Sequence, residues 1–277
     1  MGSNQNPRLS FKIISTHCDL SEQTEKQYKS QLNILSDIFV LKDIFERPEF
    51  VISKLKSLYT LATMKTYLNV IIVYIRSTID EIIAGGQVSD LVKTLEIYRT
   101  EWKTHQKNYE KEVAEGHMTD KQKKMFMTTA EFDVLIMKAI DKFGESSEEV
   151  LMLKLYRHAP VRSDYAVLRI SLAPSDGHVA SIRNWYHHPS SQMILNDYKT
   201  VKFYGTLKFK VSEDLKLAID KYMVVKMLED GDYFFSKKDG TPVSKNLFGK
   251  RIKTIFKKLG VEHPPNIQML RHIYLMN

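Results

Sequence analysis

Three cations stand where the chain turns a corner or enters a helix. Arg162 lies in HAPVRSDYAVLRI, between a helical and a strand-like stretch. Lys199 lies in LNDYKTVKFYG, at the mouth of a hairpin between two strand patterns, and Arg271 lies in MLRHIYLMN, a helical stretch that follows Pro264-Pro265. Arginine offers a planar, permanently charged fork that matches the oxygens of a phosphate. Lysine is a compact charge whose pKa responds to its surroundings. Arg271 is set among Ile267, Met269, Leu270 and Ile273. A cation on such a helix is costly to bury unpaired, so an anionic partner is expected for it.

Elements must hold these side chains, and the sequence indicates which. The chain has 277 residues, is 43% hydrophobic and 27% charged, and has one Cys. These are globular proportions and argue against disorder across the chain. Cys18 alone supports neither a disulfide framework nor a cysteine-based zinc site. The apolar run Val70 to Ile75 is too short to span a bilayer. The opening MGSNQNPRLS lacks the apolar core of a secretory signal, so a reducing compartment is expected. The formal charge is +8. Residues 1–110 contribute +1, residues 111–192 nothing and residues 193–277 +7. This bias towards the end of the sequence favours a polyanion partner, with nucleic-acid phosphate the commonest.

Residues 1–14 read as a flexible lead-in. Four helical patterns follow in 15–110. Tyr28, Leu32, Leu35 and Phe39 form the first, after a start signal at Ser21 and Thr24. Pro48 opens the second. Tyr67, Val70, Ile71, Tyr74, Ile75 and Ile79 stripe the third, which Gly85-Gly86 ends. Ser89 starts the fourth, with Leu91, Leu95, Tyr98 and Trp102. The aromatic stripe is read as core. Residues 111–126 read as a linker. Residues 127–277 mix types: a capping box at Thr128 and Glu131, then a helix over 147–158. The segments VLRISL, MILNDY, TLKFKV and YFFS read as strands, with a hairpin around KTVKFYG. Helices are expected over 213–228 and 244–259 and from Ile267 on. The fold class is therefore an all-α four-helix unit followed by an α+β unit with a small antiparallel sheet. His187-His188 reads as a solvated pair rather than a metal site, and no cofactor or metal is expected.

On these residues the chain resembles the tyrosine recombinases of the phage-integrase type. Arg162 with Asp164, Lys199-Thr200, and Leu270-Arg271-His272 with Tyr274 are similar, in order and setting, to that family's arginine corner, hairpin lysine and Leu-Arg-His-aromatic helix. The four-helix unit is similar to its core-binding (SAM-like) domain. The resemblance covers roughly residues 18–277, and LRHIYL is its most specific motif. It implies Arg162, Lys199, Arg271 and His272 as catalytic residues. The two arginines would brace a phosphodiester, and the lysine would protonate the leaving 5′ oxygen. A tyrosine would attack to give a 3′-phosphotyrosine. The partner implied is double-stranded DNA, held in a two-domain clamp, with no membrane involved. Lys202, Lys245, Lys250 and Arg251 are the expected phosphate contacts.

The sequence departs from the family pattern at three points. Gln268 stands where a His or Lys is usual; an amide can donate a hydrogen bond but cannot shuttle protons. The acidic residue follows Arg162 at +2, with Tyr165 at +3. The nucleophilic tyrosine would lie beyond Asn277, and Tyr274 is read as the family's buried aromatic. A truncated recombinase, unable to cleave DNA alone and monomeric in isolation, is the expectation, whereas a full-length form would self-associate on DNA. Its setting would be a phage or viral mobile element, or a prokaryotic cytoplasm. The alternatives are a type IB topoisomerase-like enzyme, a non-catalytic DNA-binding remnant, and an interaction protein with incidental positive charge.

Overall fold

The computed structural model describes residues 20–82, 88–114, 118–173 and 183–276. The expected lead-in at 1–14, Cys18, the Gly85-Gly86 break and Gly116 lie outside the described residues. The chain is mostly helical with a small four-stranded mixed sheet. It divides into two compact units, Met1–His117 and Met118–Asn277.

The secondary structure of the first unit is all helical among its described residues. Helix α1 (Glu22–Ile38) starts where the Ser21 hydroxyl accepts from the Thr24 N–H, one of the orphan donors of a helix start. The short α2 (Leu41–Glu46) follows, then α3 (Pro48–Leu58), α4 (Leu61–Ile82) and α5 (Ser89–Ala114). Pro48 occupies the first turn of α3, where its missing N–H costs nothing. The core is built by Leu32 and Leu35 of α1, Val51 and Leu55 of α3, the α4 stripe and Tyr98 of α5. Tyr67, Tyr74 and Tyr98 are buried in it, as their spacing suggested. The Tyr98 hydroxyl donates to the Ile44 carbonyl at 3.1 Å, and Thr94 Oγ1 to that of Phe45 at 2.9 Å. These bonds fasten α2, which the sequence reading passed over because six residues are too few for a periodic stripe.

In the second unit α6 (Asp120–Met125) falls within the expected linker, part of which is therefore helical. Capping boxes at Thr119 and Thr128 start α6 and α7 (Thr129–Phe143). At the second box Glu131 receives the Thr128 N–H at 2.6 Å, and the Thr128 hydroxyl receives that of Glu131 at 3.2 Å. Helix α8 (Glu148–His158) buries every residue from Val150 to Tyr156 and is the unit's central helix. Even Lys154 is buried there, its Nζ reaching Asp214 at 2.7 Å.

A one-turn 3₁₀ helix (Ser163–Val167) leads into β1 (Leu168–Ser171). The sheet continues with β2 (Asn184–His187), β3 (Gln192–Leu195) and β4 (Leu207–Lys210) in the order β1-β2-β3-β4. Leu168 pairs with Asn184 and Ser171 with His187 in parallel; the other two pairings are antiparallel. The sheet is therefore mixed, correcting the expected antiparallel one. The reason is β2, four residues buried on both faces. NWYH shows no alternation by which it could be read. The expected YFFS strand is instead an irregular segment with isolated bridges, Arg169 to Tyr233 and Ser236 to Pro242. Phe234 N–H still donates to the Leu168 carbonyl at 3.0 Å, and both phenylalanines are core. The short α9 (Val201–Tyr204) lies between β3 and β4, and α10 (Glu213–Lys226), α11 (Lys245–Lys258) and α12 (Ile267–Met276) complete the unit.

Candidate phosphate-binding site

Arg162 sits at the corner between α8 and β1, and two tyrosines fix that corner. The Tyr156 hydroxyl donates to the Arg162 carbonyl at 2.9 Å, and the Tyr165 hydroxyl to that of Ala159 at 2.7 Å. Their rings meet edge to face with centroids 5.6 Å apart, a favourable quadrupole arrangement. Burial pushes both hydroxyls well above the ordinary phenol range, so they act as fixed donors. For Tyr156 the neighbouring Tyr165 and Asp164 push the same way and the Arg271 cation pulls back.

Arg271 is on α12. Asn266 starts this helix, accepting the Met269 N–H at 2.8 Å on its side chain and that of Leu270 at 3.0 Å on its carbonyl. Met269, Leu270 and Ile273 are buried, while Arg271 and His272 are half-buried beside them. Leu270 and Ile273 share a cleft with Tyr156 of α8. Gln268 serves both neighbours: its Oε1 accepts from Arg271 Nη1 and its Nε2 meets His272 Nε2, each at 3.4 Å. An amide nitrogen only donates, so the imidazole nitrogen accepts there. Tyr274 is 50% exposed, which corrects its reading as a buried aromatic. The helix packs through 269, 270 and 273; Tyr274, four residues after Leu270, sits at the edge of that face and lines the same cleft without being buried in it.

Lys199 is exposed in the turn between β3 and α9, where it makes no ion pair among the described residues. A buried amide ties this turn to the arginine corner. Asn184 is 0% exposed. Its Nδ2 donates to the Asp164 carbonyl at 3.1 Å and to the Asp197 carbonyl at 3.0 Å. Its Oδ1 accepts from the N–H groups of Asn196 and Asp197 at 2.9 and 2.7 Å. All four hydrogen-bonding places of the amide are filled. Lys245 makes a second tie, with Nζ 3.4 Å from Asp164 Oδ1 and 3.7 Å from Asp197 Oδ2.

Asp164 is 5% exposed, and burial raises its pKa above the usual carboxylate value; Lys245 and Arg162 pull it down and Asp197 adds to the rise. The aspartate's hydrogen-bonded partner is thus Lys245, not Arg162. Lys245, expected on DNA, is exposed and faces these two aspartates. Arg251 pairs with Glu148 at 2.5 Å. Lys202 and Lys250 are exposed and make no ion pair among the described residues.

The histidine pair is not solvated, which corrects the sequence reading. His187 is 3% exposed, with Nε2 2.9 Å from the Ala173 carbonyl and Nδ1 2.6 Å from Ser190 Oγ. A carbonyl only accepts, so the proton is on Nε2 and the serine hydroxyl donates to Nδ1. His188 lies 2.9 Å from Asp220, a partner far off in sequence. Among the described residues no group of three or more His, Cys, Asp or Glu could hold a metal, and no helix is long and apolar enough to cross a membrane.

Sequence reasoning missed Tyr156 and Asn184. A tyrosine ending a buried helix and an asparagine opening an unnoticed strand look like packing residues, and only three-dimensional pairing shows what they hold. No family model and no curated protein matches the chain. Among solved structures, the crystal structure of XerA recombinase is similar over 95% of this chain and 81% of that one, at 14% identity and a TM-score of 0.40.

Proposed function

We propose that this chain binds duplex DNA and braces a single backbone phosphate with Arg162, Lys199 and Arg271, as a tyrosine-recombinase-like strand-transfer protein. One arrangement carries the reading. The Arg162 carbonyl accepts from Tyr156, which shares a cleft with Leu270 and Ile273 of Arg271's helix, and the adjoining Asp164 carbonyl accepts from Asn184, which also holds the turn of Lys199.

The chemistry follows from their types. A phosphodiester under attack becomes five-coordinate and gains negative charge on its non-bridging oxygens. Arg162 and Arg271 present fixed forks to that charge, and fixed donors need no reorganisation as it develops. Lys199, exposed on its turn, can hand a proton to the leaving 5′ oxygen. His272, its ring nitrogen engaged by Gln268, adds a polar group beside Arg271. The nucleophile is a tyrosine, whose ester with the 3′ phosphate preserves the bond energy for rejoining; no tyrosine of this sequence is assigned that role. Lys202 and Lys250 add backbone contacts. Lys245 and Arg251 pair with carboxylates of the protein, the first supporting the site. Residues 15–110 supply a helical core-binding domain that grips the same duplex.

Binding of a labelled duplex, followed by fluorescence anisotropy, tests this reading. Arg162→Ala and Arg271→Ala should each weaken binding about tenfold, the order expected for a charged hydrogen-bonded contact, with the melting temperature unchanged. Wild-type affinity in both variants would remove the reading. A denaturing gel for a covalent protein–DNA adduct then separates a cleaving enzyme from a non-catalytic binder.

A further inference from the structure

The hairpin that carries Lys199 also carries two aromatic rings that nothing covers. Phe203 is 84% exposed and Tyr204 79%. They occupy α9, the single helical turn between β3 and β4. The turn is firmly built. Phe203 and Tyr204 N–H groups donate to the Thr200 carbonyl at 3.0 and 3.2 Å, and Gly205 N–H donates to that of Val201 at 2.8 Å. Gly205 adopts φ +67, a conformation that favours glycine. Across the base of the prong, the Tyr198 hydroxyl donates to the Gly205 carbonyl and Thr206 Oγ1 to Asn196 Oδ1, both at 2.7 Å. Asn196 and Asp197 are in turn held by Asn184. A fixed backbone thus presents two rings to the outside at a permanent loss of apolar burial.

The surroundings of the rings are cationic. Lys199, Lys202 and Lys208 are exposed and make no ion pair among the described residues. The nearby acid, Asp197, already faces Lys245. Two rings are too small a patch to hold a protein partner by themselves. Flat apolar faces among lysines match a polyanion that also offers flat apolar faces, namely a nucleic acid with partly unstacked bases.

We propose that Phe203 and Tyr204 form an aromatic wedge that stacks on the bases of an opened step of duplex DNA, next to the phosphate met by Lys199. This rests on the reading that the unit binds DNA, and it names the form of duplex preferred. Lys199 lies four residues before Phe203, so phosphate contact and base contact fall in one stretch of duplex.

The test uses two labelled duplexes, one fully paired and one with a central mismatched bubble, titrated at several salt concentrations. The wild-type chain should bind the bubble about tenfold more tightly, the order of one stacking contact. Phe203→Ala with Tyr204→Ala should bring the two to parity and leave the slope of log K against log salt unchanged, because no phosphate contact is lost. Lys202→Ala with Lys208→Ala should flatten the slope and keep the preference. All four side chains are exposed, so melting temperatures should not move. A steep wild-type slope without preference for the bubble overturns the wedge alone, as does a preference that survives loss of both rings. A wild-type chain that binds neither duplex overturns the DNA reading and the wedge together. If the ring variant keeps its DNA curves but loses binding to anionic vesicles, or loses self-association in sedimentation, the rings serve a membrane or a protein and the wedge is wrong.

Discussion

The side-chain amide of Asn184 donates to the main-chain carbonyl of Asp164 at 3.1 Å, inside the protein and out of reach of solvent. Its remaining three bonds go to the turn at Asn196 and Asp197. The spacing between the corner of Arg162 and the turn of Lys199 is thus set by a buried amide with no unfilled place. Geometry fixed in this way does not depend on surface charge pairs, which are weak and screened.

Asn184→Ala leaves two carbonyls and two N–H groups without their partner in a space too small for full hydration. The cost should be about 3 kcal/mol, at the upper end for lost buried hydrogen bonds, read from urea unfolding. Asn184→Asp removes both donors and should be no better. A loss below about 1 kcal/mol would mean that the turn is held by something else.

Asp164 makes stability depend on pH in an unusual direction. Its folded pKa is raised, so between the ordinary aspartate range and that raised value the folded state holds a proton that the unfolded state has lost. Stability should fall as pH rises through this window and level off once both states are ionised. Lys245→Met removes the largest opposing charge and should carry the falling limb to higher pH. Urea midpoints across the acid range measure it; an unshifted limb would show that Lys245 does not govern the aspartate.

Thr128→Ala breaks the capping box of α7 and should cost about 1 kcal/mol. The same box holds the Glu131 carboxyl below its usual pKa through the Thr128 N–H and hydroxyl. Its contribution is present above the unfolded pKa and is lost as pH falls through the depressed folded one. The variant should therefore lose less stability on acidification than the wild type. Equal acid limbs would contradict this account of the cap.

Tyr156→Phe deletes the hydroxyl that holds the Arg162 carbonyl and leaves the ring in place against Tyr165. About 1–2 kcal/mol of stability should go, and duplex binding should weaken because the arginine's backbone is no longer fixed. Binding unchanged at full folding would mean that Arg162 is positioned without the tyrosine.

Much of this was legible beforehand where periodicity is long. The stripes of α1, α4 and α5 and the signals at Ser21, Pro48 and Thr128 each state a local preference that packing keeps. Arg162, Lys199 and Arg271 could be picked out because each sits at a corner, a turn or a proline-led helix. What could not be read depends on pairing between distant residues. β2 is four residues with no alternation, and its parallel partner is set by topology. The pairing of Lys245 with Asp164 and Asp197 could not be read because both partners are remote in sequence. His188 looked solvated because Asp220 is thirty-two positions away.

The central claim is that Arg162, Lys199 and Arg271 meet one phosphate, and counterion release counts phosphates directly. Each phosphate neutralised contributes about −0.9 to the slope of log K against log salt for duplex DNA. The decisive measurement is therefore that slope for the wild type and for the triple alanine variant. A shared phosphate predicts a change of about one. A change of about three would place the cations on separate phosphates, and a wild-type slope near zero would leave the site without DNA at all.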